Sequence, residues 1–193
     1  MAARSEREVI IDHTLQDEDK LEIAIKVGAA YDDLRGRVIL DFLDTVHSEL
    51  APRLGSLWKV SVARDPRRFI EKWARFLAAD YHGNPVHCRI EVGADEPGYP
   101  KMVWLGAGSP TAPELHESMK NVIDEEYAKG RPGELHSWWR YLDKAYANWG
   151  DEETTLLLYR KVEAVNYLVD NLVQLARAVE KSLAAVTPTN IKT

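Results

Sequence analysis

Arg64, Arg68, Lys72 and Arg75 recur at intervals of four, four and three, with Arg67 beside them, so a helix over this stretch carries a basic stripe. Such a stripe suits a phosphate backbone or an acidic protein surface. Glu71 lies four residues from both Arg67 and Arg75, and a solvated face neutralised by that carboxylate is the simpler alternative. The histidines, His13, His47, His82, His87, His116 and His136, lack the paired spacing that zinc ligation needs, and only His82, His87 and Cys88 come near a cluster. The acidic runs Asp17-Glu18-Asp19 and Asp124-Glu125-Glu126 read as solvated charge at a helix start and on a helix face. The chain has no Gly-x-Gly-x-x-Gly, no phosphate-cradling Gly-x-x-x-x-Gly-Lys and no Gly-x-Ser-x-Gly elbow. No catalytic residue, metal site or cofactor is expected.

A second group is aromatic. The segment from Trp138 to Trp149 holds half of the chain's six tryptophans and two of its eight tyrosines. Read as a helix from Ser137, it turns Trp138, Tyr141 and Trp149 to one face and Trp139, Arg140 and Tyr146 elsewhere. Tryptophan, tyrosine and arginine are the residues that dominate protein interfaces, so Trp139, Arg140 and Tyr146 are the candidate protein-contact residues. A plug between two helices is the competing use of the same rings.

The elements that must position these groups are mostly helical. Leu21, Ile25, Tyr31, Leu34, Val38, Ile39, Phe42, Leu43, Val46 and Leu50 recur at three and four, which predicts a helix from Asp17 to about Leu50 with Gly28 and Gly36 as points of bending, stopped by Pro52 and Gly55. Trp58, Val60 and Val62 alternate as a short strand, and Asp65-Pro66 opens a helix with Phe69, Trp73, Phe76 and Leu77 inside, reaching about Ala79. Val86, Cys88, Ile90 and Val92 pair with the run from Met102 to Leu105 as a β-hairpin. A helix follows from Thr111, closed by Gly130, Pro132 and Gly133. The last helix opens at Gly150-Asp151 and carries a heptad stripe: Leu158, Val162, Val165, Val169, Leu172, Ala176, Val179 and Leu183. Ala164, Leu168, Leu175 and Ala178 widen that stripe towards a bundle face, with a homodimer seam as the alternative. At about 50 Å the helix must kink or project.

Composition sets the frame. With 193 residues, 45% hydrophobic and 29% charged content and a net charge of -6, the chain reads as globular, and its acidity argues against bulk nucleic-acid binding. Apolar runs are too short for a membrane span and the N-terminus is charged, so a cytoplasmic location is expected. Cys88, the single cysteine, reads as a buried strand residue.

The order of elements, an amphipathic helix ending Phe42-Leu43-Asp44-Thr45-Val46-His47-Ser48-Glu49-Leu50, a small β unit, the Trp138-Trp139-Arg140-Tyr141 segment, Asn148-Trp149 and a long final helix, resembles the C-terminal region of poorly characterised bacterial and phage proteins similar to PD-(D/E)XK nucleases. The nuclease core is missing, because Glu91 is followed by Val92-Gly93 and Asp95 by Glu96-Pro97 instead of the Glu-x-Lys of that family. What the resemblance implies is a phage, mobile-element or defence setting and recognition without cleavage. The reading is therefore a helix-dominated α+β fold, with long N- and C-terminal helices around a two- to three-stranded antiparallel sheet. Residues 1–16 form a lead-in, 17–186 one domain and 187–193 a tail. The expected function is a non-enzymatic binding or regulatory module with a protein partner. The alternative is a nucleic-acid-binding accessory domain using Arg64, Arg67, Arg68, Lys72 and Arg75.

Overall fold

A computed structural model of the chain describes residues 5–63, 75–82, 88–94, 102–109 and 111–186. Two compact units divide it, Met1–Arg37 and Val38–Thr193. In the first, α1 (Glu6–Thr14) begins with a capping box: the Ser5 hydroxyl accepts from the Glu8 N–H at 3.3 Å and the Glu8 carboxylate from the Ser5 N–H at 2.9 Å. The helix α2 (Glu18–Leu54) opens after Asp17 and crosses the boundary between the units. It runs unbroken past Gly28, Gly36 and Pro52, and stops at Gly55, whose φ of +77° supplies the left-handed turn a helix end favours. The spacing that assigns Leu21, Ile25 and Leu34 to an inner face is not matched by burial, since all three are exposed, together with Ile23 and Val27.

The second unit is built on a sheet larger than the sequence suggests. Among the described residues there are five antiparallel strands, β1 (Trp58–Val62), β2 (Arg75–Tyr81), β3 (Cys88–Ala94), β4 (Val103–Gly108) and β5 (Trp138–Tyr141), ordered in space as in the chain. A two- to three-stranded sheet is therefore incorrect, for two reasons. Arg75 to Ala79, expected to end a helix, belong to a strand: Leu77 to Tyr81 pair with Val62 to Trp58, and Arg75 pairs with Gly93. The Trp-Trp-Arg-Tyr segment, expected to be helical, pairs with β4, with Trp104 opposite Tyr141 and Gly106 opposite Trp139. Four aromatic or long side chains in a row suit a pleated, half-buried edge, and strand pairing overrides the helical phase.

One face of the sheet is the core. Val60, Leu77, Ala79, Ile90, Val92, Val103, Leu105, Ala107 and Trp138 share it by register and are at least partly buried. It is covered by α6 (Val162–Val186), which lies on β3 and β4, and by α3 (His116–Glu126), which packs on α6 and β5. Trp149 follows the short α4 (Lys144–Ala147) and wedges between Phe42 of α2, edge to face at 5.6 Å, and Phe76 of β2, stacked at 5.5 Å. The expected long last helix is broken at Lys161, whose φ of 65° separates α5 (Glu152–Arg160) from α6. Leu158, Val165, Val169, Leu172, Ala176, Val179 and Leu183 of the heptad stripe are buried within this chain, as a bundle face requires, while Val162, next to the break, is exposed.

Trp138 is the most constrained ring of the core. Fully buried, it sends its indole N–H to Ala128 O at 2.9 Å and to Asp124 Oδ1 at 3.1 Å, and the same carboxylate oxygen accepts from the Gly130 N–H at 2.9 Å. A Cβ on Gly130 would lie 2.2 Å from Trp138 Nε1, so only glycine lets the chain pass. Gly130→Ala is expected to lower stability by about 1–3 kcal/mol, the usual cost of overpacking. Urea unfolding checks it against Gly133→Ala, whose Cβ would meet the Trp139 ring only at 3.2 Å; equal losses would rule out the Trp138 contact as the cause.

Candidate functional site

The other face of the sheet carries a polar cluster and a cleft. By register, Asp80, Arg89, Glu91, Gly93, Trp104, Gly106, Trp139 and Tyr141 share this face. Arg75 joins them through an irregularity. Two strand positions apart, Arg75 and Leu77 would normally point the same way, but the register shift between them leaves Phe76 and Leu77 both buried and brings Arg75 opposite Gly93. The bulge thus turns Arg75 onto the open face, beside Glu91.

Glu91 is only 5% exposed. Its Oε2 meets His136 Nε2 at 3.0 Å, and its Oε1 meets Arg75 Nη1 at 3.3 Å and Arg89 Nη1 at 3.4 Å. Arg89 also binds Asp80, Nε to Oδ1 at 2.5 Å. Burial pushes the Glu91 carboxyl up, but the hydrogen bond from His136 and the charges of Arg75 and Arg89 outweigh it and hold the group below the ordinary glutamate value. An ionised Glu91 only accepts, so His136 Nε2 must carry the proton of that bond. The Asp80 bond holds the Arg89 guanidinium firmly charged, against the opposing effect of burial.

The chain returns over this face between Arg131 and Trp139, which exchange backbone hydrogen bonds at 2.8 and 2.9 Å, while Gly133 N–H donates to His136 O at 2.9 Å. Glycines beneath make room. A Cβ on Gly106 would lie 2.6 Å from His136 Cδ2, and one on Gly108 would lie 3.0 Å from Leu135 O. Between this flap and the sheet lies a cleft of about 560 Å³, lined by Arg75, Glu91, Trp104, Leu135, His136, Trp139 and the backbone turn at Pro132–Glu134. A second lobe of about 210 Å³, reaching Ser109 and His116, shares Arg75, Glu91 and His136 with it. Trp104 stands edge-on to His136 at 4.8 Å and Trp139 edge-on to Tyr141 at 5.1 Å. Leu135, 69% exposed, forms the rim.

The three contact candidates do not come together. Trp139 is half-buried and forms a cleft wall, its N–H bonded to Pro132 O at 3.2 Å and Arg131 lying over its ring at 5.6 Å. Arg140 sits on the opposite register face and pairs with Asp143 at 3.0 Å. Tyr146 stacks on Tyr167 at 3.9 Å. The helical division of the aromatic segment is corrected by the strand: Trp138 and Trp149 are core, but Tyr141 lies with Trp139 on the cleft side. Of the basic stripe, Arg64, Arg67, Arg68 and Lys72 lie outside the described residues, and Arg75 is on a strand with its guanidinium turned to Glu91. Cys88 is buried, and burial raises its thiol to about 11 against the lowering effect of a Ser109 hydrogen bond, which suits packing and not nucleophilic attack.

In the sequence Glu91 stands out only as a carboxylate that lacks the nuclease motif and His136 only as one of six scattered histidines, and neither is expected in a site. One signal was present: an acidic residue in an apolar strand, Ile90-Glu91-Val92, two before Gly93 and in a sheet with Gly106 and Gly108. Among the described residues no group of three or more histidine, cysteine or carboxylate side chains could hold a metal ion. No helix among them is long and apolar enough to cross a membrane. No family model, no curated protein and no solved structure matches the chain.

A carboxyl held low in the folded state stabilises the protein above the unfolded value, near 4.5, and that contribution is lost as pH falls through the folded value. Glu91→Gln is therefore expected to cost about 1–3 kcal/mol at pH 7, by leaving two guanidinium groups short of an acceptor, and to flatten the acid limb of stability. Urea titrations between pH 3 and 7 check both parts. Asp124, also held low because Lys120, Gly130 and Trp138 outweigh its burial, keeps part of the acid dependence in the variant.

Proposed function

We propose that this protein is a non-enzymatic binding module that acts through protein contacts, and that the cleft walled by Trp104 and Trp139 is its recognition surface. The observation that carries the reading is the pairing of an open, aromatic-walled cleft with an exposed apolar rim at Leu135. The acid and base groups at its floor are spent on one another: Glu91 takes three donors, and Arg89 spans Glu91 and Asp80. Such an arrangement supports a rigid floor better than proton transfer to a substrate. Trp139, half-buried and central, has the character of an interface anchor, while Arg140 and Tyr146 support the strand and helix that hold it. A regulatory role in a nucleic-acid-processing or defence system would follow from the partner, and the cleft itself does not depend on that setting.

Affinity capture from the native host with the intact chain, followed by titration of any recovered partner, tests the proposal. Trp139→Ala is expected to weaken binding by roughly thirtyfold, the scale of a hot spot, with circular dichroism and melting temperature near those of the parent. A partner bound equally well by the variant sinks the proposal. Binding of nucleic acid that falls steeply with salt and follows Arg64, Arg67, Arg68 and Lys72 would replace it with the accessory-domain reading.

A further inference from the structure

From Leu21 to Ala30 every residue of α2 is exposed, and Ile23, Val27 and Leu34 are 60%, 58% and 56% exposed. With Ala30 these three recur at four, three and four, a heptad seam along one side of the helix. Helices in water are held mainly by packing an apolar face on something else, and Gly28 weakens the helix here further. The seam has definite ends. Lys20 and Arg37 occupy the next positions of the stripe on either side, so its apolar part is four residues long.

Reversed, the seam is complementary to itself. Laid antiparallel about a two-fold axis between Gly28 and Ala29, Ile23 meets Leu34 of a second copy and Val27 meets its Ala30, and symmetry repeats both layers. The flanking residues match in the same arrangement. On one side Lys26 falls beside the second copy's Asp33, and on the other Ala24 falls beside Tyr31, whose ring lies under the Arg35 guanidinium at 4.5 Å. Lys26 already holds Glu22 of its own helix at 2.5 Å, and an ammonium has three donors, so Asp33 adds to that pair without breaking it. A parallel arrangement loses this match. It sets Lys26 beside Tyr31 and brings Glu18, Asp19 and Glu22 alongside the same residues of the other copy, like charge against like.

We propose that a second copy of this chain covers this face, in an antiparallel pair of α2 helices whose seam is Ile23, Val27, Ala30 and Leu34. Beyond the seam Lys20 faces Arg37, so the pairing stops there, and Leu21 and Ile25, on the opposite side of the helix, take no part. So short a seam suits association on the order of micromolar, weaker than a full-sized interface gives. The proposal does not depend on what the cleft binds.

The test is the mass of the intact chain by light scattering across a micromolar concentration series, expected to rise from 21.9 kDa towards twice that value. Val27→Glu, which buries a carboxylate at two layers, is expected to weaken association by about tenfold or more, while Ile25→Glu changes it by less than about twofold. Lys26→Asp is expected to weaken it by roughly threefold, and Asp33→Lys in the same chain to restore it. All four positions are exposed, and circular dichroism and melting temperature are expected to match the parent. Orientation is read by disulfide formation after Cys88→Ala removes the single cysteine. Ile23→Cys and Leu34→Cys chains, one of them tagged, are expected to cross-link to each other when mixed and not to cross-link alone. A monomer at every concentration overturns the proposal. So does a dimer indifferent to Val27→Glu, a charge swap that fails to restore association, or cross-linking of each cysteine variant with itself.

Discussion

Keeping a carboxylate ionised at 5% exposure, on the sheet face away from the core, constrains the architecture around the cleft. Desolvating such a charge costs several kcal/mol unless well-placed cations and donors compensate. Three different devices bring them to Glu91. Arg89 is two residues along the same strand and reaches back along the face. Arg75 arrives because a bulge in β2 reverses its direction while leaving Phe76 free to stack on Trp149. His136 arrives from the flap, which can lie low enough only because Gly106 and Gly108 lack side chains. The polar floor of the cleft is thus coupled to the core through β2: the backbone irregularity that buries Phe76 also aims Arg75.

The flap is anchored at the other end by Trp138. Adjacent residues of one strand point to opposite faces, so Trp138 enters the core while Trp139 walls the cleft. Trp138 is locked by Asp124, Ala128 and the passage of Gly130, and Asp124 is in turn held by Lys120 one helical turn earlier. Rigid placement of Trp139 is therefore inherited from helix α3 and the core, which is what an interface anchor requires if ordering it on binding is to cost little.

How much of this was legible in the sequence follows from which signals are local. The alternation in Trp58–Val62 and the wide apolar stripe of α6 report one-sided burial, and the structure turns those apolar residues inward; around Ile90 the alternation marks the core side, but Glu91 and Gly93 on the other face are buried too. Phe76 and Leu77 misled because a bulge buries two consecutive residues, a pattern that also fits the inner face of a helix. Trp138 to Tyr141 misled because a four-residue strand is too short to display its period, and its partner β4 is fixed only by tertiary pairing. Helical spacing in Leu21 to Leu34 was real but did not imply burial, since the spacing of apolar residues says where a partner would sit and not that one is present. The Glu91 cluster was the least visible. Its members lie in β2, β3 and the segment before β5, and nothing in any one stretch announces the other two.

Edge protection and the cleft wall use the same residues. β5 is the last strand of an open sheet, and an edge strand presents unpaired N–H and C=O groups that invite another chain. Here the outer side of Trp139 is closed by the two backbone bonds to Arg131, and the turn that makes this return possible supplies Pro132, Gly133 and Leu135 to the cleft wall. The segment that shields the edge from indiscriminate strand pairing therefore also builds the pocket. Backbone pairing is closed off at this point by the chain's own return segment, where a bare edge would accept almost any extended chain.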